Sequence, residues 1–151
     1  MRHEIENIFD RMPGYNCFAC GPQHPFGLRL KFYYDDESDL VLTHIDPLPD
    51  FAGFPGILHG GIQATILDEL AFWGTYNKFD QTGFTYDITV RYRKKCPSDQ
   101  PITGKVKMIK MTKKLAVCEA WLESRDELTK YTFADVRYYI PRIDPRKKPI
   151  N

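Results

Sequence analysis

His59-Gly60-Gly61 and Asp68 are the residues of this chain whose types and spacing can do chemistry. The run Phe54-Pro55-Gly56-Ile57-Leu58-His59-Gly60-Gly61 leads into an apolar segment of helical period, and no Ser, Thr, Asp or Asn stands there as an N-cap. The first backbone N–H groups of a helix lack internal partners and carry partial positive charge. Glycines let a ligand oxygen approach them closely. Such a place suits an acyl carbonyl whose oxygen gains negative charge during attack; the competing reading is that Gly60 and Gly61 only permit tight packing where the helix begins. Asp68 is a carboxylate in an otherwise apolar helix, which costs free energy unless the group is satisfied or used. Its plain alternative is a solvent-facing residue bonded to Thr65, and the neighbouring Glu69 is read as solvated. Eight residues separate Gly60 from Asp68, or about 12 Å along a helix axis. One carbonyl cannot touch both within a single chain. They meet if two such helices lie antiparallel across a two-fold axis, so a catalytic pair requires at least a dimer with two sites.

The elements that must position these groups follow from periodicity. From about Gly60 to Tyr76, Ile62, Ile66, Leu70 and Trp73 share a face at spacings of three and four, widened by Ala64, Leu67 and Ala71. The apolar arc exceeds half the circumference, so the helix is expected to be buried, with Thr65, Asp68, Phe72 and Thr75 on a narrower stripe. Alternating residues predict strands at Leu28–Tyr34, Leu40–Ile45 and Phe84–Tyr92, then one carrying Ile102, Val106 and Met108, and others at Leu115–Glu123 and Tyr131–Ile140. The order of two strands, one helix and four hairpin-linked strands is an α+β layout, one long helix covered by a curved antiparallel sheet of five to six strands. Residues 1–26, rich in turn formers, read as an arm, 27–140 as the domain, and 141–151 as a flexible tail.

The segment Gly53-Phe54-Pro55-Gly56-Ile57-Leu58-His59-Gly60-Gly61-Ile62-Gln63-Ala64-Thr65-Ile66-Leu67-Asp68-Glu69 closely resembles the hotdog-fold thioesterases of the PaaI-like group, which carry His-Gly-Gly at the helix start and an acidic residue nine positions after the His. Asn16-Cys17-Phe18-Ala19-Cys20-Gly21-Pro22, with Pro25, Gly27, Leu28 and Leu30, is similar to an arm found in many members. The resemblance covers roughly residues 15–140. It implies a double-hotdog homodimer, often a dimer of dimers, and hydrolysis of an acyl-CoA thioester without cofactor or metal. By that likeness the Gly60 N–H polarises the thioester carbonyl. Asp68 of the other subunit is general base or nucleophile, and His59 positions the thioester or its loop. Gly61 belongs to the substrate site with them. Two positions depart from the family pattern. Gly53 stands where many relatives carry Asn or Gln, and Phe72 lies where many carry Ser or Thr soon after the carboxylate. Thr65, Thr75, Thr85 and Tyr86 are candidates to replace that hydroxyl. These departures keep open a non-catalytic acyl-CoA-binding protein on the same fold; a hydratase-type lyase ranks below both, because its His and carboxylate sit in a different local motif.

Cys17-x-x-Cys20 followed by His24 has metal-ligand spacing, but no second close pair exists, so the segment is read as an arm packed on the sheet or at the dimer seam. Arg93 and Lys94, in the basic strand end Arg91-Tyr92-Arg93-Lys94-Lys95, are candidates for the CoA phosphates. Phe54 and Phe72 are candidates to shape the acyl pocket, and Trp73 is expected in the core. With Lys plus Arg at 21 against Asp plus Glu at 20, net charge gives no support to nucleic-acid binding. No apolar run approaches the ~20 residues of a membrane span. The charged N-terminus and only four cysteines lead to an expectation of cytoplasmic residence.

Overall fold

The computed structural model describes residues 1–112 and 114–141. Among these residues seven strands form one antiparallel sheet: β1 (Arg2–Glu4), β2 (Tyr33–Asp35), β3 (Leu40–Ile45), β4 (Phe84–Tyr92), β5 (Ile102–Met111), β6 (Leu115–Ser124) and β7 (Lys130–Tyr139), in the order β1-β2-β3-β5-β6-β7-β4. The helix α1 (Gly60–Phe79) lies between β3 and β4 in the chain. It packs against the sheet with Ile66, Leu67, Leu70, Ala71 and Trp73 all buried. The inner sheet face answers with Val106 from β5, Cys118, Ala120 and Leu122 from β6, and Ala134 and Val136 from β7. Each large side chain so enclosed contributes roughly 1.5–3 kcal/mol. The helix therefore owes its position to this apolar arc. It ends at Asp80, in the left-handed conformation, whose N–H donates to the Tyr76 carbonyl at 2.8 Å.

Three features differ from the sequence reading. β1 is an additional strand: three polar, exposed residues with no apolar alternation, held by pairing with β2. The alternating stretch from Leu28 is a strand only from Tyr33. Before that, the Leu28 and Leu30 N–H groups donate at 2.9 Å to the carbonyls of Phe18 and Ala19, so this segment pairs with the arm, and Arg29 interrupts it at φ 51°. β4 carries an irregularity between Thr85 and Asp87, where Tyr86 has no partner opposite on β7. Ile88 and Val90 pack on the core while Phe84 and Tyr86 are exposed. The arm carries Ile5, Phe9 and Tyr15 onto the core, with the Phe9 ring 5.6 Å from Phe72 and 5.2 Å from Tyr76. Residues 142–151, nearly the whole of the expected tail, lie outside the described residues. Among the described residues no helix is long and apolar enough to cross a membrane.

Gly83 fixes where β4 begins. A Cβ at this position would lie 1.9 Å from the Tyr139 carbonyl oxygen, so only glycine admits this approach to β7. We expect Gly83→Ala to cost about 1–3 kcal/mol, the usual scale of forced overpacking. Urea denaturation measures it; an unchanged midpoint and slope would contradict the close contact.

Candidate active site

The start of α1 is held on three sides. The Leu58 N–H donates to the Cys96 carbonyl at 2.8 Å, and the Ser98 N–H to the Gly56 carbonyl at 3.0 Å, stitching the preceding loop to the segment after β4. Gln63 is buried. Its amide donates to the Leu58 carbonyl at 2.7 Å and accepts from the Thr132 hydroxyl of β7. Tyr92 donates its hydroxyl to the Gly60 carbonyl at 2.7 Å. His59 is itself the N-cap: its Nδ1 accepts the Gly61 N–H at 2.9 Å, while its carbonyl accepts the Gln63 N–H at 3.0 Å. The cap that the sequence reading found missing is thus supplied by an imidazole, in the tautomer that leaves Nδ1 free to accept. One consequence is a division between the two glycines. The Gly61 amide is occupied by the ring, whereas the Gly60 amide has no acceptor among the described residues. Thr65 donates its hydroxyl to the Gly61 carbonyl at 2.9 Å, within its own helix.

A cavity of about 370 Å³ opens at this helix end, lined by Gly60, Gln63, Tyr92, Arg93, Lys94 and Lys95 among others. Arg93 and Lys94 are exposed, and their backbone N–H groups both donate to the Tyr131 carbonyl at 2.9 Å. Arg93 also borders a groove of about 620 Å³ on the sheet, which it shares with Arg91, Lys107 and Lys130.

Asp68 opens elsewhere, into a cavity of about 510 Å³ whose wall includes Phe72, Thr85, Tyr138 and, from the arm, Phe9, Tyr15, Cys17 and Cys20. Gly60 is absent from this wall, as Asp68 is from the other cavity. Thr85 donates its hydroxyl to the Asp68 carboxylate. Of the four hydroxyls weighed from sequence, only Thr85 reaches it: Thr65 bonds its own helix, Thr75 is buried and Tyr86 faces outward. Phe72 lies on the pocket wall; Phe54 lines neither cavity and is 78% exposed.

Glu69, expected to be solvated, is partly buried instead. Its carboxylate accepts from Trp73 Nε1 at 3.1 Å and lies 3.8 Å from Cys17 Sγ. Burial pushes its carboxyl up to about 7. The Cys17 thiol is lowered to about 5, first by its hydrogen bond with Cys20 and then by the backbone N–H groups of Cys20 and Ala19; the same interaction and burial push Cys20 upward. The Glu69–Trp73 spacing of four was the available signal, since it places a carboxylate over an indole one turn on.

One helix enclosed by a curved antiparallel sheet, with a His-Gly-Gly start and a mid-helix Asp, defines a hotdog-fold protein. The thioesterase superfamily model matches residues 55–130, and the chain belongs to that superfamily. No curated protein matches it in sequence. Among solved structures, a thioesterase superfamily protein superposes with a TM-score of 0.71 at 18% identity, covering 82% of this chain and 59% of that one. This chain thus spans less than two thirds of that protein's length. Zebra fish thioesterase superfamily member 2 superposes with a TM-score of 0.62 at 18% identity, covering 67% of this chain and 74% of that chain. A hypothetical thioesterase protein from Streptococcus pneumoniae, solved with coenzyme A, gives 0.64 at 15% identity, with coverages of 69% and 82%.

The His59 cap is testable apart from any activity. His59→Ala is expected to destabilise the fold by about 1 kcal/mol, and His59→Asn, a good capping residue, to recover most of it. Equal thermal midpoints for wild type and His59→Ala would dismiss the cap.

Proposed function

We propose that the chain is an acyl-CoA thioesterase of the PaaI-like kind, working as a homodimer in which each site joins the Gly60 end of one helix to Asp68 of the other. The observation that carries this reading is the separation of the two groups into different cavities of one chain, each furnished for half of a thioester reaction. The Gly60 end has an amide without an acceptor among the described residues, and three cations beside it. The Asp68 end has a hydroxyl-oriented carboxylate in a largely apolar pocket. β4 supports the pairing. It is an edge strand, and its exposed Phe84 and Tyr86 give a second copy apolar surface to cover.

In this arrangement the thioester carbonyl oxygen accepts from the Gly60 N–H, whose partial positive charge stabilises the oxyanion. His59 holds the Gly61 amide and thereby the shape of the first turn. Asp68 takes the proton of a water that attacks the carbonyl carbon; the tetrahedral intermediate then collapses with loss of the CoA thiolate. In the nucleophilic variant the Asp68 carboxylate attacks directly, and water cleaves the resulting anhydride. Label found in Asp68 after a single turnover in heavy-oxygen water identifies the second route, with water attacking the Asp68 carbonyl carbon of the anhydride. Thr85 fixes the carboxylate in either route. Phe72 faces the acyl chain, and Arg93 and Lys94 meet the CoA phosphates. The streptococcal relative solved with coenzyme A is consistent with this class of ligand.

Purified protein offered a panel of short, medium, long and aryl acyl-CoAs should release CoA. Asp68→Asn should lower kcat by about 10²–10⁴-fold, the usual scale of a positioned acid–base group. Hydrolysis undiminished in that variant, or a strictly monomeric particle in solution, would refute the assignment. Saturable CoA-ester binding without turnover would instead establish a binding protein. A second experiment addresses the cations. Arg93→Ala with Lys94→Ala should raise KM for acyl-CoA but leave it unchanged for the same acyl group on a thiol without phosphates. Equal effects on both thioesters would remove the phosphate role.

A further inference from the structure

We propose that Cys17, Cys20 and Glu69 form a binding site for a thiophilic divalent cation, of which zinc is the best fit, on the wall of the Asp68 pocket. Two elements distant in sequence bring their donors together here: the two sulfurs and a Glu69 carboxylate oxygen lie within 4.8 Å of one another. The Cys-x-x-Cys segment is folded for the task. The Gly21 N–H closes the turn on the Cys17 carbonyl at 2.9 Å, and the Cys20 N–H points at Cys17 Sγ at 3.4 Å. Position 21 must be glycine, because a Cβ there would lie 2.5 Å from the Cys17 carbonyl oxygen. The third donor is aimed by its own neighbour, the Trp73 indole. Tyr15, whose hydroxyl is 2.9 Å from Cys20 Sγ, and Asn7, whose amide donates to the Cys20 carbonyl at 3.1 Å, brace the turn from behind. Partners of this kind orient the groups that touch a metal.

A closed zinc site needs four ligands, and the sequence offers no second close cysteine pair. His24, whose Nδ1 accepts the Phe26 N–H at 3.1 Å, takes no part in the cluster. Glu69 supplies what the sequence did not offer. Two thiolates and a carboxylate suit zinc among the common biological divalents, since calcium and magnesium favour all-oxygen shells. Three protein donors also leave one position of a tetrahedral site free, as in zinc sites that exchange ligands. All three residues line the pocket that holds Asp68. A bound cation would tie the arm to α1 and fix one wall of that pocket.

The test uses the full chain, reduced and freed of metal, titrated with Zn2+ in competition with a chromophoric chelator and separately with Co2+. We expect one ion per chain and, with Co2+, a thiolate-to-cobalt absorption band with the visible bands of a tetrahedral centre. Cys17→Ser and Cys20→Ser should each lose stoichiometric zinc. Glu69→Gln should keep the thiolate band while weakening zinc binding. Should a cysteine variant not fold, wild type still decides: Zn2+ should protect Cys17 and Cys20 from alkylation, read by mass spectrometry. Failure to bind either ion, binding unchanged when both cysteines are replaced, or unprotected thiols would each overturn the site. None of these readouts involves thioester hydrolysis, so the outcome is independent of the catalytic reading.

Discussion

The enclosure of α1 is the constraint on which everything else rests. An α-helix with more than half its circumference apolar has no stable position at the edge of a sheet; it must be wrapped. Ile66, Leu67, Leu70 and Ala71 are fully buried, and Trp73 stacks on Phe32 with ring centroids 5.4 Å apart. Once those contacts are made, the helix can neither rotate nor slide without opening the core, since close-packed interiors transmit a misplaced methylene as strain. The polar groups on the remaining stripe, Thr65, Asp68 and Glu69, are therefore held in position by side chains that never touch a ligand. Gln63 and Tyr92 add directional bonds at the one end where packing alone would let the first turn fray.

On that stripe, two adjacent carboxylates meet different surroundings. Asp68 takes a hydroxyl from β4 and faces open volume. Glu69, one residue on and about 100° around the helix, turns beneath the arm to an indole and two sulfurs. One pocket thus contains two chemically distinct acidic positions: Asp68 oriented by a hydroxyl, Glu69 by an indole N–H beside two sulfurs. That division is typical of sites where environment rather than residue type assigns roles.

Much of this was legible in the amino-acid sequence. The helix from Gly60 and the strands β3 to β7 follow from spacing, because periodic burial leaves a periodic trace. His59, Gly60 and Asp68 stand out in the sequence by type and interval, and Trp73 is core as expected. What escaped notice depends on distant partners. β1 is three polar residues whose only reason to be a strand is β2 alongside it. The stretch after Leu28 alternates correctly but spends its hydrogen bonds on the arm. Glu69 looked solvated because nothing local foretells that Cys17, fifty-two positions earlier, folds over it. His59 is expected to position the thioester or its loop, and its ring caps the helix, a use that an imidazole does not advertise.

The arm's place against α1 has a consequence for how such a protein can diversify. Phe9, Tyr15, Cys17 and Cys20 form one side of the Asp68 cavity, yet none belongs to a strand of the sheet or to the helix. Remodelling that side, by lengthening a turn or exchanging an aromatic for a small residue, leaves the ladder of β3 to β7 and the buried face of the helix intact. One side of this cavity and the helix that carries Asp68 are thus held on separate stretches of chain. Natural variation, or a designer, can resize the cavity and leave the helix in place.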